Sequence, residues 1–170
     1  MANIDGWNGP LPMQWLESQA ELQKKILARE RELNMTPVLP AFAGHVPAAL
    51  KRIHPDANIQ YLGKWAGFAD SYRCHFLNPE EPLFAEIQKS FLEEQEKMFG
   101  TDHIYGVDPF NEVDPPSWEP EYLAQVSSDM YKSLAAADPD AVWLQMTWMF
   151  YHDRKLWTAQ RVIALLTGVT

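Results

Sequence analysis

The stretch Asp-His-Ile-Tyr-Gly-Val-Asp-Pro-Phe-Asn-Glu-Val-Asp-Pro-Pro-Ser covers residues 102–117 and contains the most informative change of pattern in the chain. Its first part is short, apolar and rich in residues that favour strands, whereas Pro109, Pro115 and Pro116 cannot continue a regular element. The sequence therefore predicts a strand near 103–110 that ends in a rigid loop.

Asn111 and Glu112 are neighbours in this loop, and apolar Phe110 and Val113 stand on either side of the pair. Loss of solvent around a carboxyl group raises its pKa and suits it to general acid catalysis. The alternative is a solvated loop acid that caps the helix predicted to begin near Pro120. Taken alone, the residues leave both readings open.

Helices and strands are predicted to alternate around this loop. Apolar residues recur every three or four positions in three segments, which are predicted helices: 14–33, 83–99 and 119–137. Further strands are predicted near 36–42 and 141–149, a short helix over 47–53 and a last helix from about Leu156. Residues 54–82 are predicted to be irregular, with aromatic side chains that fold over another part of the chain.

Three strands that alternate with amphipathic helices are typical of a parallel α/β fold. In such folds the functional site lies on the loops after the strands, where His45, Glu112 and Trp148 fall. The sequence has neither the Gly-rich turn of a dinucleotide-binding fold nor a phosphate-binding P-loop. Because a complete (β/α)₈ barrel needs about 250 residues, the chain has room for about three strand-helix units of one.

Composition narrows the function further. With a formal net charge of −9 and no basic stripe, the chain is not expected to bind nucleic acid or an anionic membrane surface. The five histidines show no paired ligand spacing, so no metal site is expected. The one cysteine, Cys74, is interpreted as a half-buried structural thiol, and the seven tryptophans suit either core packing or stacking on sugar rings.

Several motifs resemble one known family. They are Gly-Pro-Leu-Pro at 9–12, Met-Thr-Pro-Val-Leu-Pro-Ala-Phe-Ala-Gly-His-Val-Pro at 35–47, Gly-Thr-Asp-His-Ile-Tyr-Gly at 100–106, Phe-Asn-Glu at 110–112, Pro-Pro-Ser at 115–117 and Ala-Val-Trp-Leu-Gln at 141–145. Together they closely resemble the α-N-acetylglucosaminidases of glycoside hydrolase family 89, and the likeness covers nearly the whole chain. It implies that residues 1–170 are an internal part of a (β/α)₈ catalytic barrel.

The resemblance also implies roles for single residues. Glu112 matches the general acid/base of a retaining glycosidase, and Asn111 matches the residue that hydrogen-bonds substrate beside it. Trp65, Trp148 and Met1 match positions that line the family's sugar pocket. His45 matches a family motif without a definite role, so packing and pocket shaping both stay open for it.

A retaining mechanism needs a second carboxylate as the nucleophile. By resemblance that glutamate lies beyond Thr170, and Asp108, Asp114 and Glu119 are too close to Glu112 in sequence to replace it. The chain alone is therefore expected to bind sugar weakly without turnover, with the remainder of the barrel or a second copy as its partner. Asp70 and Cys74 stand where family members often carry two cysteines.

The family acts on terminal N-acetyl-α-glucosaminides of the heparan sulfate type in the lysosome or outside the cell. The residues before Trp7 show no signal peptide, so the chain is expected either to be cytoplasmic or to begin upstream of Met1. Two other functions stay open at this point, a non-catalytic carbohydrate-binding module and an inactive truncated product.

Overall fold

The computed structural model describes residues 11–64, 67–111 and 113–169, which alternate between helices and short strands. The helices are α1 (Met13–Glu32), α2 (Leu50–Ile53), α3 (Pro82–Phe99), α4 (Pro120–Ala137), α5 (Trp148–His152) and α6 (Ala159–Thr167). The strands are β1 (Leu39–Pro40), β2 (His45–Val46), β3 (Ile59–Tyr61), β4 (His75–Leu77), β5 (Ile104–Gly106) and β6 (Val142–Leu144).

Strands β1, β5 and β6 form a parallel sheet in that order. Leu39 pairs with Tyr105, and Tyr105 pairs in turn with Trp143, so the three strands end at the same edge. This sheet, with α3 between β1 and β5 and α4 between β5 and β6, confirms the α/β class and the partial barrel. The strands are shorter than the predicted segments, since each ladder has only two or three residues.

Residues 54–82 contain strands that the sequence did not reveal. β4 pairs with both β2 and β3 in a second, antiparallel sheet of order β2, β4, β3. A three-residue strand is too short to show a clear alternation of apolar and polar residues, so pattern analysis interpreted this region as irregular. The predicted contact of its aromatic residues is present, since the Phe76 ring packs 5.4 Å from the Phe110 ring, centroid to centroid.

The three long helices begin and end close to their predicted positions. α4 buries its predicted stripe in the core, where the helix packs against α3 and α6; the stripe includes Leu123, Val126, Met130 and Leu134, each at most 2% exposed. α1 behaves differently, because Trp15, Leu22, Ile26 and Leu33 remain largely exposed and Leu27 is its buried residue. Its apolar stripe therefore faces away from the described part of the chain.

The end of α1 shows how local sequence positions this helix. Asn34 adopts a left-handed backbone with a φ of 57°, and its N–H and that of Met35 donate to carbonyls of the last helical turn. Asn34 is thus the left-handed residue that ends α1, a position that asparagine favours. One turn earlier, the Arg31 guanidinium donates to the Asp102 carboxylate from Nε at 3.1 Å, which joins α1 to the segment before β5.

The parallel sheet has open edges among the described residues. β1 pairs with β5 alone and β6 with β5 alone, so each outer strand has one unpaired side. Val142 and Leu144 of β6 are about half exposed, and so are Val38 and Met146, which lie just outside β1 and β6. None of the described helices is both long and apolar enough to span a bilayer.

Candidate active site

A cleft of about 250 Å³ lies beside the loop that follows β5. The described residues that line it are Lys64, Phe110, Val113, Asp114, Trp118, Met149, His152, Asp153 and Trp157. They come from the loop after β3, the loop after β5 and the segment after β6. Two of these segments follow parallel strands, and loops at that edge carry the functional sites of α/β barrels.

The loop after β3 and the loop after β5 are in close contact. A Cβ atom placed on Gly63 would lie 3.3 Å from Cβ of Asp114, so the loop after β3 packs directly against the loop after β5. Lys64 is at the rim of the cleft, and its ammonium group lies 3.2 Å from the Asp70 carboxylate. Arg73 also holds this loop, because its Nε donates to the Leu62 carbonyl at 2.7 Å.

The loop after β3 therefore has ionic and hydrogen-bonded supports at the place where the resemblance implies a cysteine pair. Asp70 contacts both Lys64 and Arg73, at 3.2 and 3.9 Å. Cys74 is half-buried, as predicted.

The sheet and the core support the loop after β5. The Trp143 indole donates from Nε1 to the Val107 carbonyl at 2.9 Å, which fixes the end of β5 against β6. Phe110 is 1% exposed and contacts the equally buried Phe76 of the antiparallel sheet. The backbone on the N-terminal side of residues 111–112 is thus anchored in the core.

The structure describes three of the six predicted site residues, which are His45, Asn111 and Trp148. Glu112, Trp65 and Met1 lie outside the described residues, although Lys64, Phe110 and Val113 near two of them line the cleft. Asn111 is exposed in a turn beyond the end of β5. Their roles stay predictions.

Trp148 was predicted near the C-terminal end of the third strand, and that position is wrong. β6 ends at Leu144, and Trp148 is the first residue of α5, because the chain turns into a helix immediately after residues 145–147. The indole is 42% exposed and stacks on Tyr151 and His152, with ring centroids 5.6 Å away in each case. It stands beside Met149 and His152, which line the cleft.

His45 is a residue of β2 and does not follow β1 directly. Its ring meets the Phe76 ring edge to face, with centroids 6.1 Å apart. Burial lowers the pKa of His45 to about 4, because a charged imidazole loses hydration there, and the imidazole is therefore neutral above that pH. It is absent from the described lining of the cleft, and its described ring contact is one of packing.

Asp108 is a half-buried acid that lies too close to Glu112 in sequence to be expected as its catalytic partner. It follows β5 by two residues, and its Oδ1 atom is buried with no hydrogen-bond partner among the described residues. Burial raises the pKa of Asp108 to about 6, and a hydrogen bond from Gln145 opposes that rise. The carboxyl group therefore changes charge within the mildly acidic range.

This pKa predicts how stability depends on pH. The pKa of Asp108 is higher in the folded chain than in the unfolded chain. Below about pH 4 the carboxyl group is protonated in both states and costs no stability. As the pH rises towards 6, the unfolded chain releases this proton more readily, so the folded state loses stability. The substitution Asp108→Asn should remove this dependence. We expect the stability of wild type relative to Asp108→Asn to fall by about 1–2 kcal/mol between pH 4 and pH 7, a value reduced for partial solvent screening.

Urea unfolding of both chains at several pH values measures this difference. The variant Glu119→Gln removes an exposed carboxylate near the end of the same loop and serves as the control. Identical pH profiles for wild type and Asp108→Asn would show that Asp108 titrates normally.

Possible metal ligands gather at one place among the described residues. Ligand atoms of His103, Asp138 and Asp140 lie within 4.8 Å of one another, at the edge of the sheet where β5 and β6 begin. His103 Nδ1 lies 2.8 Å from the Asp138 carboxylate, which also accepts a hydrogen bond from the Tyr105 hydroxyl at 2.7 Å. The hydrogen bond with Asp138 raises the pKa of His103, and it joins the start of β5 to the end of α4.

Most of the residues that line the cleft are not marked by any local pattern in the sequence. Asp114 was considered only as a substitute nucleophile, and Lys64, Trp118, Asp153 and Trp157 were not considered at all. The available signal was the concentration of tryptophans in loops, since Trp118 and Trp157 pack edge to face 5.1 Å apart beside the cleft. Their convergence depends on contacts between distant segments, which no local pattern reports.

A cleft at the loop edge of a parallel sheet, walled by aromatic rings and carboxylates, is typical of a barrel enzyme that acts on carbohydrate. A family model described as the alpha-N-acetylglucosaminidase (NAGLU) TIM-barrel domain matches residues 1–170. The chain belongs to this family of glycoside hydrolases, and the resemblance noted in the sequence is confirmed.

Curated and solved relatives agree with this assignment. Human alpha-N-acetylglucosaminidase is 48% identical over 170 residues, which are 99% of this chain and 23% of the human protein. The chain therefore spans less than a quarter of that relative.

A family 89 glycoside hydrolase from Clostridium perfringens, solved with 2-acetamido-1,2-dideoxynojirmycin, superposes with a TM-score of 0.77 at 28% identity. The match covers 95% of this chain and 17% of the clostridial chain. A second structure, of a clostridial variant with two glutamates changed to glutamine, contains its substrate GlcNAc-alpha-1,4-galactose. Its TM-score is 0.76 at 27% identity, over 94% of this chain and 18% of that one.

Proposed function

We propose that this chain is the acid/base-bearing part of an enzyme that removes terminal N-acetyl-α-D-glucosamine from glycosides with retention of configuration. The observation that carries the proposal is the meeting of three segments at one cleft. Lys64 precedes Trp65, Phe110 and Val113 flank Asn111 and Glu112, and Met149 follows Trp148. All four of these neighbours line the cleft.

In this proposal Glu112 protonates the glycosidic oxygen as the bond breaks and later takes a proton from the attacking water. Asn111 donates a hydrogen bond to the sugar beside it. Trp65, Trp148 and Met1 form apolar walls for the N-acetylglucosamine ring, on which an indole can stack. His45 contributes through its packing on Phe76, which in turn contacts Phe110.

A retaining glycosidase needs a second carboxyl group about 5–5.5 Å from the first. We propose that this nucleophile comes from the remainder of the barrel, which would pair with the open sides of β1 and β6. The exposed apolar residues in and beside these outer strands, Val38, Val142, Leu144 and Met146, fit the same arrangement, because the remainder of a barrel would cover apolar surface there. No cofactor is required by this chemistry.

Two kinds of leaving group are compatible with the mechanism. The family resemblance implies heparan-sulfate-type substrates, in which an acidic sugar follows N-acetylglucosamine. The clostridial relative binds a disaccharide whose second sugar is galactose, which carries no charge.

A chimaera tests the proposed reaction. Residues 1–170 replace the matching segment of the human relative, and the product is incubated with 4-nitrophenyl N-acetyl-α-glucosaminide. We expect nitrophenol release, with the α-anomer of N-acetylglucosamine as the first sugar product in the proton NMR spectrum.

The parent human enzyme is the positive control, and the 170-residue chain alone is expected to release no nitrophenol. A folded but inactive chimaera, or the β-anomer as first product, would contradict the proposal.

A further inference from the structure

We propose that Arg73 is a positioning residue for the cleft, which holds residues 62–64 in place and thereby sets how tightly substrate binds. This inference rests on the proposed function, to which it adds a residue that is absent from the described lining of the cleft. Its basis is a set of contacts that begins and ends on the same short segment, between Leu62 and Lys64.

Residues 62–74 connect β3 to β4 and form a loop that is closed at its base. The Leu62 N–H donates to the Cys74 carbonyl at 3.0 Å, which joins the two ends of the loop. Leu62 is fully buried, whereas Lys64 lies at the rim of the cleft. The chain therefore leaves the core and reaches the cleft within two residues, immediately before Trp65.

The Arg73 guanidinium supplies a donor for the Leu62 carbonyl. Its Nε atom donates to that carbonyl at 2.7 Å, and the planar group lies over the Tyr61 ring, with 5.1 Å between Cζ and the ring centroid. The Tyr61 ring in turn contacts the His75 ring of β4, with centroids 4.3 Å apart. The guanidinium is therefore fixed against the antiparallel sheet while it holds the first residue of the loop.

Asp70 extends this contact to the rim of the cleft. Its Oδ1 atom lies 3.9 Å from Arg73 Nη1, and its Oδ2 atom lies 3.2 Å from Lys64 Nζ. A single turn of 3₁₀ helix, Asp70–Tyr72, brings the two side chains together, because the Arg73 N–H donates to the Asp70 carbonyl at 3.1 Å. Both ends of the segment 62–64 are thus tied to one guanidinium, the first directly and the last through a carboxylate.

The two kinds of contact differ in strength. The Asp70 and Lys64 side chains are 68% and 54% exposed, so water and salt weaken their ion pair. The bond from Arg73 to the Leu62 carbonyl is partly buried, and its loss would deprive that carbonyl of a charged donor. Arg73 therefore carries most of the effect, and Asp70 adds a part that salt can remove.

The position of residues 62–64 matters because they also contact the loop after β5. A Cβ atom on Gly63 would lie 3.3 Å from both the backbone nitrogen and Oδ2 of Asp114, which lines the cleft. Movement of this segment would shift one side of the cleft together with Trp65, the proposed apolar wall for the sugar. Since such a wall contacts substrate and transition state alike, we expect substrate affinity to change more than kcat.

Steady-state kinetics of Arg73→Met test the proposal. The variant is made in the chimaera and assayed with 4-nitrophenyl N-acetyl-α-glucosaminide, which carries no charge. We expect KM to rise about threefold to tenfold, the range for partial loss of one stacked ring, with kcat within about twofold of the parent. In the 170-residue chain, the same substitution should speed hydrogen exchange of the Leu62 amide about tenfold or more, as the loss of a bond from a charged donor predicts.

Arg29→Met is the matched control, because Arg29 is an exposed arginine of α1 that also pairs with a carboxylate, Glu32, at 2.9 Å. It makes the same change of charge and should match the parent in KM, kcat and exchange. Arg73→Lys keeps the charge but lacks the rigid fork, so its KM should lie between those of the parent and Arg73→Met. It also replaces Arg73→Met in the comparison if that variant does not fold.

Salt separates the part of the effect that is due to Asp70. Raising the salt from about 20 mM to about 0.5 M should raise the KM of the parent about twofold, because the substrate is neutral and screening acts on the exposed ion pairs. Asp70→Asn should have, at both salt concentrations, the KM that the parent shows at high salt. An identical salt dependence in the parent and in Asp70→Asn would remove Asp70 from the network.

An unchanged KM in Arg73→Met, with or without a loss of kcat, would overturn the inference and leave the proposed function standing. Equal effects of the substitutions at Arg73 and Arg29 would do the same. A folded parent chimaera that releases no nitrophenol would instead contradict the proposed function. The exchange rates of the 170-residue chain would then still decide whether Arg73 holds the loop.

Discussion

The variant Glu112→Gln, made in the chimaera, is expected to hydrolyse disaccharide substrates about 10²–10⁴ times more slowly than the parent chimaera while still binding them. Glutamine has nearly the shape of glutamic acid and can still hydrogen-bond, so the sugar keeps its contacts. It has no proton to give to the glycosidic oxygen, and a sugar alkoxide is a poor leaving group without that proton. The measurement is kcat and substrate affinity for GlcNAc-alpha-1,4-galactose, the disaccharide bound by the clostridial variant.

Leaving groups of different basicity separate this role from others. Nitrophenolate departs readily without protonation, so kcat/KM for the nitrophenyl substrate should change far less than kcat/KM for the disaccharide. A lost nucleophile would instead slow both substrates equally. The variant Glu119→Gln, which changes an exposed acid seven positions later in the chain, is the control and should match the parent for both substrates.

Equal losses for the two substrates would remove Glu112 from the acid role. Unchanged turnover would remove it from catalysis and would favour a site in which Glu112 only hydrogen-bonds sugar. Loss of turnover together with loss of binding would indicate that the loop after β5 needs the carboxylate for its structure.

Local signals gave the three long helices and their alternation with the strands of a parallel sheet correctly. The α4 stripe and the Asn34 cap each depend on residues within one or two turns, so a single sequence contains what is needed to find them. The strand before Glu112 was found for the same reason, since prolines close to it mark its end.

Features that depend on distant partners were not predictable in this way. β4 is three residues long and is stabilised by pairing with β2 and β3, which lie about 30 and 15 residues earlier in the sequence. The apolar stripe of α1 predicted a helix correctly, but periodicity could not report that this face is exposed. Trp148 was placed on a strand because Val142 to Met149 is continuously rich in β-forming and apolar residues.

The candidate site also combines features that the local sequence predicts with features that depend on distant contacts. Its loop was located from the strand and the prolines, and the Phe-Asn-Glu motif marked the residues proposed for catalysis. The aspartates that give the cleft its charge, Asp114 and Asp153, lie 39 positions apart in the sequence and share the cleft only because α5 returns towards the loop after β5. A contact between loops carries no periodic signal, so the electrostatic character of the cleft required the fold.

The variant Gly44→Ala is expected to lower the free energy of unfolding by about 2–5 kcal/mol. Gly44 has a φ of 92°, a region that residues with a Cβ atom rarely adopt. A Cβ atom there would also lie 2.5 Å from Cε2 of Phe76, whose side chain is 1% exposed. Because Phe76 packs on Phe110, the ring has little room to retreat without moving the base of the loop that contains Glu112.

The variant Gly67→Ala separates the two causes. Gly67 has a φ of 75°, but a Cβ atom there meets no described atom within 4 Å, so its expected loss is about 1 kcal/mol of backbone strain alone. Urea unfolding of both variants gives the difference, which is the energy of the collision with the ring. The double variant Gly44→Ala with Phe76→Leu should recover part of it, since leucine is smaller where the collision occurs. Equal losses at Gly44 and Gly67, or no coupling between residues 44 and 76, would show that the Phe76 ring gives way freely and does not anchor the loop through Phe110.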